Sequence, residues 1–201
     1  MNTKTLSSLI ILLSLFFVSC SGDKLSLSSP EDISKIKSIV LEKFDEDLEI
    51  YSLSLSSFKE LNGEFQYAEV DYLKDGKSYS RLYNAYPGIK PKLEDEKMGN
   101  ESFQTPFHLK SKQGKVKLKD ISFEKIPEQA TKAFELINEE FDNYVLHSYD
   151  IDSKTNKISA IMQFHCTPNE GLTGIQGRNI VTNYYEINFD VDQNGTVTIK
   201  E

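Results

Sequence analysis

Hydrophobic and polar residues follow two different periods along the chain, and these periods predict helices and strands in a definite order. After residue 29, apolar residues recur three and four positions apart, as in a helix with one buried face. These residues are Ile33, Ile36, Val40 and Phe44. A capping serine at position 29 and a proline at position 30 are typical of a helix start. We therefore predict a helix from residue 30 to about residue 45.

The segments that follow have a period of two. Tyr51, Leu53 and Leu55 alternate with serines, a pattern that predicts a half-buried strand. Residues 64–73 and 78–84 predict two more strands, and the Asp75-Gly76 dipeptide between them favours a tight hairpin turn. A helix followed by three antiparallel strands is therefore predicted for residues 30–86.

A similar order of elements is predicted for residues 127–201. The pairs that match at an offset of 97 are Pro30-Glu31 with Pro127-Glu128 and Phe44-Asp45 with Phe141-Asp142. Strands are predicted at about 143–151, 158–166, 180–191 and 196–200. The expected fold is α+β, with two αβββ units that each pack a helix on one sheet face. The alternative is a chance likeness between two amphipathic helices.

Residues 87–126 connect the two predicted units and are polar. We predict a lysine-rich hairpin around Gln113-Gly114 in this linker. Its lysines are Lys110, Lys112, Lys115, Lys117 and Lys119. They could form a basic strip for anionic headgroups, glycans or an acidic partner. They could equally protect an exposed sheet edge against unwanted strand pairing.

The beginning of the chain has the features of an export signal. Lys4 is followed by an apolar run over residues 6–18, which is too short to span a bilayer core of about 20 apolar residues. A small residue, Ser19, then precedes Cys20. This arrangement predicts a signal peptide over residues 1–19 and a tether over residues 20–29.

The residues Phe17-Val18-Ser19-Cys20 resemble the lipobox of bacterial lipoproteins. The resemblance implies that the Cys20 thiol receives a diacylglyceryl group, that cleavage occurs before Cys20, and that the new amine is acylated. The expected partner is a membrane, bound through lipidated Cys20, and the expected location is the cell envelope. Neither the inner or outer membrane nor the exposed side is specified. An ordinary signal peptide that ends beside a cysteine is the alternative.

Charge and cysteine content narrow the remaining possibilities. The chain has 23 basic and 31 acidic residues, and removal of residues 1–19 leaves 22 basic residues against the same 31 acids. Such a negative body is repelled by phosphate backbones, so nucleic acid is not an expected partner. If Cys20 carries lipid, Cys166 has no disulfide partner. Strand alternation places Cys166 opposite its neighbour His165, so we expect a buried small hydrophobe without a Cys–His pair.

The last residues contain a weak candidate metal site. The side chains of Asp190, Asp192, Asn194 and Glu201 fit the spacing of an EF-hand calcium loop. The flanking residues alternate like strands, however, and Asn194-Gly195 is a strong hairpin signal. We therefore expect a β-hairpin and no bound metal.

Other motifs give no catalytic or cofactor assignment. Residues 169–179 are rich in glycine, and we predict a long loop between strands that is a possible ligand loop. His108, His147 and His165 do not have metal-ligand spacing. Tyr184 could stack on sugars or serve only as sheet surface.

Residues 184–200, with a tyrosine-rich strand, an acidic turn and a return strand, resemble PepSY-like and β-lactamase-inhibitor-like modules. That resemblance implies a binding or inhibitory role without catalytic residues. Cystatin-like and NTF2-like folds share the helix-then-sheet order and stay open. The predicted function is a lipid-anchored, non-catalytic binding module for a protein, peptide or glycan of the cell envelope. An envelope hydrolase and a calcium-responsive lipoprotein are the alternatives.

Overall fold

A large antiparallel sheet with its two longer helices on one face forms the structure, a computed structural model. It describes residues 24–86, 88–100, 104–110, 112, 116–137, 140–153, 157–168, 173–176, 179–182 and 184–200. The helices in this part of the chain are α1 (Pro30–Lys43), α2 (Pro106–Lys110) and α3 (Lys125–Leu136), and a 3-10 turn covers Leu118–Asp120. The strands before α3 are β1 (Glu49–Ser56), β2 (Tyr67–Lys74), β3 (Lys77–Asn84), β4 (Lys92–Leu93), β5 (Lys97–Met98) and β6 (Val116–Lys117). The strands after α3 are β7 (Phe141–Asp152), β8 (Ser159–Pro168), β9 (Thr173–Gln176), β10 (Asn179–Thr182), β11 (Tyr185–Val191) and β12 (Val197–Ile199).

The strand order joins the two halves of the chain in one sheet. The order is β12-β11-β8-β7-β1-β2-β3-β4, with β5 beside β3 and β6 beside β1, while β9 and β10 pair separately. Strands β1 and β7 meet in the middle, where Leu53 lies opposite Ile151 and Leu55 opposite Tyr149. The α+β prediction with an antiparallel sheet is therefore confirmed, and backbone hydrogen bonds connect the halves directly.

The core lies between the two longer helices and one sheet face. Helix α1 contributes Ile33, Ile36 and Val40, which are 0–3% exposed. The face of the sheet that they cover is apolar on the central strands. Helix α3 adds an edge-on contact between Phe134 and Phe164, with 4.8 Å between ring centroids. One continuous hydrophobic core thus spans both halves of the chain.

Local signals correctly predicted the first helix and the first hairpin. The Ser29 hydroxyl accepts a hydrogen bond from the Asp32 backbone amide at 3.3 Å and so caps α1. Asp75 and Gly76 have φ values of +51° and +71°, the left-handed pair that a two-residue hairpin turn requires. The turn holds Lys74 opposite Lys77 and sets the register of β2 and β3.

The offset of 97 between the halves does not relate equivalent positions at the helix ends. Pro30 is the first residue of α1, but α3 begins at Lys125, two residues before Pro127. Phe44 caps the end of α1, whereas Phe141 is the first residue of β7. The sequence matches therefore do not establish a repeat of two αβββ units.

Several predicted boundaries are wrong. The first half of the expected lysine-rich hairpin is not a strand, since Pro106–Lys110 is helical, and β6 pairs with β1. The turn predicted at Gln113-Gly114 lies outside the described residues. The expected glycine-rich loop contains β9, which pairs with β10. The strand predicted over residues 180–191 is consequently two strands, β10 and β11. Gly171 and Gly177 lie outside the described residues.

The predicted tether is shorter than expected because its second half belongs to the folded body. Leu25 is 8% exposed and Leu27 is fully buried, and both are members of the core. Ser26 forms a bridge with Glu64 at the entrance to β2. The serines around these leucines favoured a flexible segment. Burial of the two leucine side chains is more favourable, and it fixes the segment on the folded body.

A bulge also changes the predicted face of Tyr51. The register of β1 against β2 shifts between Ile50 and Ser52, so Ile50 enters the core in place of Tyr51. Tyr51 stays buried, but its hydroxyl hydrogen-bonds to Ser78 at 2.6 Å outside the core cluster. One extra residue in a strand exchanges the two faces of the residues on either side.

Candidate functional site

The sheet face opposite α1 and α3 is polar and at least partly exposed. We call it the open face and define it by those of its polar side chains on β1, β2, β7, β8 and β11 that are at least partly exposed. These residues are Ser52, Ser54, Glu69, Asp71, Asp150, Asp152, Gln163, Glu186, Asn188 and Asp190. The face carries hydrogen-bonding groups on five neighbouring strands and has a surplus of carboxylates.

A shallow hollow of about 610 Å³ lies on this face. It is lined by Ser52, Asp150, Asp152, Asp190, Ile161 and Thr198 among others. The carboxylate of Asp150 accepts hydrogen bonds from the hydroxyls of Ser54 and, at 2.9 Å, Ser148. The hollow therefore presents oriented oxygen acceptors, a chemistry that suits a partner with N–H or O–H donors.

A histidine pair occupies the end of the open face at which β1 ends. The rings of His147 and His165 are stacked, with 3.8 Å between centroids and an angle of 14° between planes. Tyr184 lies against His165 with its ring centroid 4.8 Å away. Glu186 Oε1 is 3.8 Å from His165 Nε2. Two imidazoles, a phenol and a carboxylate are thereby brought together.

A second bulge creates this pair. Strands β7 and β8 start in a register that sets Asp152 opposite Ser159. If that register continued without a shift, His165 would lie opposite Leu146 and His147 would face the core. Instead the register shifts between Leu146 and Ser148, so Leu146 packs in the core, 1% exposed. His147 is the extra residue, and its ring comes to lie over His165.

Burial sets the charge state of the pair. His165 is 2% exposed, and neither of its ring nitrogens has a hydrogen-bond partner within the described part of the chain. Desolvation and the neighbouring His147 lower the pKa of His165. Desolvation also lowers the pKa of His147, although Glu186 and Glu60 oppose this effect. The neutral form of both rings is therefore favoured at pH 7.

The geometry of the pair does not suit a metal ion. Ring nitrogens donate to a metal in the plane of the ring, and two parallel stacked rings direct their lone pairs side by side. Among the described residues, no group of three or more His, Cys, Asp or Glu side chains could hold a metal. The pair is thus better suited to stacking and hydrogen bonding than to coordination.

A serine next to the pair has the contact of a nucleophile but not the accessibility. Ser57 Oγ is 2.7 Å from His147 Nδ1, within the distance of an activated serine and its base. Ser57 is only 5% exposed, and its backbone amide donates to the His147 carbonyl at 2.9 Å. Because a substrate carbonyl must reach the hydroxyl, this geometry supports a structural link between β1 and β7.

The EF-hand candidates lie in a hairpin. Strands β11 and β12 flank the turn, and Asp190 lies opposite Thr198. Asp192 Oδ1 accepts hydrogen bonds from the backbone amides of Asn194 and Thr196, both at 2.8 Å. The Asp190 carboxylate points to Lys200 at 3.9 Å, and Glu201 lies outside the described residues. The turn amides therefore occupy an oxygen that a calcium loop would use.

The basic strip, one of the two interpretations of the five lysines, is partly neutralised. Lys117 and Lys119 both bind Asp47, at 2.9 and 2.8 Å. Hydrogen bonds from these two ammonium groups lower the pKa of the Asp47 carboxyl to about 2. Lys110 ends α2, and Lys115 lies outside the described residues. Two of the five lysines thus pair with an acid and are not available as free positive charges of a basic strip.

The structure agrees with the expected burial of Cys166 but not with the expected exposure of Tyr184. Cys166 is fully buried and free, and burial raises the pKa of its thiol. Its sulfur lies 3.7 Å from the Tyr185 carbonyl, on the face opposite His165. Tyr184 is half-buried against His165, so the exposed aromatic of this strand is Tyr185. Cys20, the lipidation candidate, lies outside the described residues.

Comparison with known proteins gives little further information. No protein-family model matches the chain, and no curated protein matches it. Among solved structures, the chain is similar to that of a candidate lipoprotein (CD1622) of Clostridium difficile 630. The identity is 18%, the match covers 90% of this chain and 95% of that one, and the TM-score is 0.42. A likeness at this level carries no argument about family or role.

Within the described ranges, none of the helices has the length and apolarity of a transmembrane span.

Proposed function

We propose that the mature protein is a lipid-anchored, non-catalytic binding module of the cell envelope. Its partner is a protein, peptide or glycan, and it binds on the open face of the sheet. The observation that carries this proposal is the partly exposed, polar and acidic surface across five strands. A sheet that packs on one side and leaves oriented hydrogen-bonding groups on the other provides a ready binding surface.

The surplus of carboxylates narrows the partner's chemistry. Acid groups line the hollow, among them Asp150, Asp152 and Asp190. A partner with basic or hydroxyl groups would complement this surface, whereas a polyanion would be repelled. Basic peptides and hydroxyl-rich glycans therefore fit better than phosphate-rich ligands.

The envelope location is supported by the lipobox at Phe17-Val18-Ser19-Cys20. Two or more acyl chains on Cys20 would hold the body stably at a membrane. The mass of the mature amino terminus tests this part directly. We expect a product that begins at residue 20 and carries added acyl mass; Cys20→Ser should remain unprocessed.

The binding surface can be tested with a matched pair of charge reversals. Glu69 is exposed on the open face, and Glu135 is exposed on α3, at the other side of the molecule. Glu69→Arg and Glu135→Arg make the same change in charge. If the proposal is right, a partner captured from the native envelope is lost with Glu69→Arg and retained with Glu135→Arg. Equal retention by both variants would contradict an open-face site.

A hydrolase is the second candidate, because Ser57 contacts His147. In that case hydrolysis of an envelope ester or amide would depend on the Ser57 hydroxyl. We expect no hydrolysis that Ser57→Ala removes, since the hydroxyl is buried. Ser57-dependent turnover by the purified protein would favour the enzyme over the binding module.

We also propose that the fold consists of two αβββ units joined at β1 and β7. Each half has a helix followed by three strands that pair in sequence order, β1-β2-β3 in one and β7-β8-β11 in the other. The binding surface would then extend across the junction of the units. This arrangement agrees with the PepSY-like resemblance of residues 184–200, which likewise implies a binding role.

A further inference from the structure

The chain enters the folded body at one end of the sheet. Leu25 and Leu27 are buried, and the Leu25 carbonyl accepts a hydrogen bond from the Phe65 amide at 2.7 Å. Ser26 pairs with Glu64 in the connection between β1 and β2. The body is thus fixed to its leader segment beside the end of β1.

The covalent distance between this entry point and the proposed anchor is short. Lys24 is four residues after Cys20. Four extended residues span at most about 14 Å. Whatever conformation the leader has, an anchor at Cys20 would hold the end of the sheet next to the membrane interface.

An exposed aromatic patch lies at the same end. Phe58 is 53% exposed and contacts Tyr86 edge-on, with 4.7 Å between ring centroids, and Tyr67 at 6.1 Å. Ile89, in the turn after β3, is 48% exposed, and its amide donates to the Tyr86 carbonyl at 3.3 Å. The connection between β1 and β2 and the turn after β3 are joined by a hydrogen bond from the Ala85 amide to the Gln66 carbonyl.

Two lysines flank this patch. Lys59 and Lys90 are exposed beside Phe58 and Ile89 in the sequence, and exposed Glu60 follows Lys59. Aromatic residues are favoured at the interface between water and hydrocarbon, and lysines there reach the headgroups while their stems stay apolar. Transfer of Phe58 and Ile89 from water to an apolar surrounding would be favourable.

We propose that the surface formed by Phe58, Tyr67, Tyr86 and Ile89 rests in the headgroup region of the bilayer that holds Cys20. The inference depends on the proposed lipid anchor and adds an orientation to it. The membrane-proximal end would include the histidine pair, since Ser57 bonds to His147. The turn of the β2–β3 hairpin, at Asp75-Gly76, would point away from the membrane.

The chain lacks tryptophan, so a single introduced tryptophan reports its own surroundings. Phe58→Trp places the probe in the patch, and Ile89→Trp is a second probe in the same surface. Phe107→Trp is the control, because Phe107 is 82% exposed. Phe107 lies three residues from Gln104, whose side chain accepts a hydrogen bond from the Ser78 amide at the start of β3. The aromatic patch lies near the other end of that strand, so the control probe is distant from it.

Protein that begins at residue 20 would be coupled through Cys20 to a maleimide lipid in vesicles of phosphatidylcholine and phosphatidylglycerol. Cys166 is buried, so mass spectrometry should show one addition. We expect the emission of both patch probes to shift to shorter wavelength and to be quenched by brominated lipids. The probe at position 107 should do neither.

The proposal is overturned if the patch probes stay unquenched in protein that floats with the vesicles, or if all three probes are quenched equally. Since the coupling is chemical, these outcomes do not depend on natural lipidation. Failure of the anchor itself would instead appear as a mature amino terminus without acyl mass. Matching circular dichroism spectra and melting temperatures would verify that the variants fold.

Discussion

The imidazole rings of His147 and His165 lie in parallel contact, 3.8 Å between centroids, on a surface that carries nearby carboxylates. Desolvation lowers the pKa of both rings from the ordinary value of 6.5. The unfolded chain therefore binds more protons than the folded chain as the pH falls through 6.5. Stability from this source is complete above that pH and is lost below it.

We expect the free energy of unfolding to fall between pH 7 and pH 5. A fully neutral His165 would contribute a slope of up to about 1.4 kcal/mol per pH unit. Glu60 and Glu186 face the pair and would moderate the slope when it becomes charged. Urea unfolding at a series of pH values measures it. His165→Phe should keep the stack and flatten the slope; an unchanged slope would contradict the assignment.

The buried position of Leu27 predicts that residues 25–29 contribute to folding. Leu27→Ala should lower the free energy of unfolding by about 2–5 kcal/mol, because the substitution leaves a cavity in the core. Lys24→Ala, one residue before the buried segment, is the control; it removes an exposed ion pair with Glu64 and should change the free energy of unfolding by less than about 1 kcal/mol. Chemical denaturation of the soluble body measures both, and equal stability of the variants would restore the tether interpretation.

Cys166 should resist thiol reagents in the folded protein. Its thiol is fully buried, and burial raises its pKa, so both access and thiolate fraction are low. Reaction with a chromogenic disulfide should be slow in buffer and fast in denaturant. Cys20→Ser protein isolates the signal of this one thiol. Rapid labelling of the native form would contradict the burial of Cys166.

Calcium should leave the melting temperature of the soluble body unchanged at millimolar concentration. Backbone amides of Asn194 and Thr196 occupy Asp192 Oδ1, and β-strands replace the helices of an EF-hand. A ligand that binds only the folded state raises its stability. An upward shift that Asp192→Asn abolishes would therefore revive the calcium hypothesis.

The elements whose signals are local were predictable. Helix α1 follows from its apolar spacing and the Ser29 cap, and the β2–β3 hairpin follows from Asp75-Gly76. The alternation in β8 also predicted that Cys166 and His165 point to opposite faces. Each of these features depends on residues within a few positions of one another, so one sequence contains the necessary information.

The candidate site was not predictable to the same degree. The histidine pair depends on a bulge that adds one residue to β7 and turns His147 away from the core. No residue near position 147 is of a type that marks a bulge. The bulge forms because burial of Leu146 in the core is more favourable than burial of His147. The end of the tether at Leu25 was also not predictable from local signals. The serines favoured flexibility, but Leu25 and Leu27 pack in the core.

By itself, the sequence determined the export and lipobox pattern, the acidic balance and the main amphipathic elements, because these are properties of composition and short-range spacing. Tertiary structure alone decided that β1 pairs with β7, that both halves share one core, and that His147 meets His165. These contacts join residues far apart in the chain, and their free energy comes from burial and strand register, which no local pattern specifies.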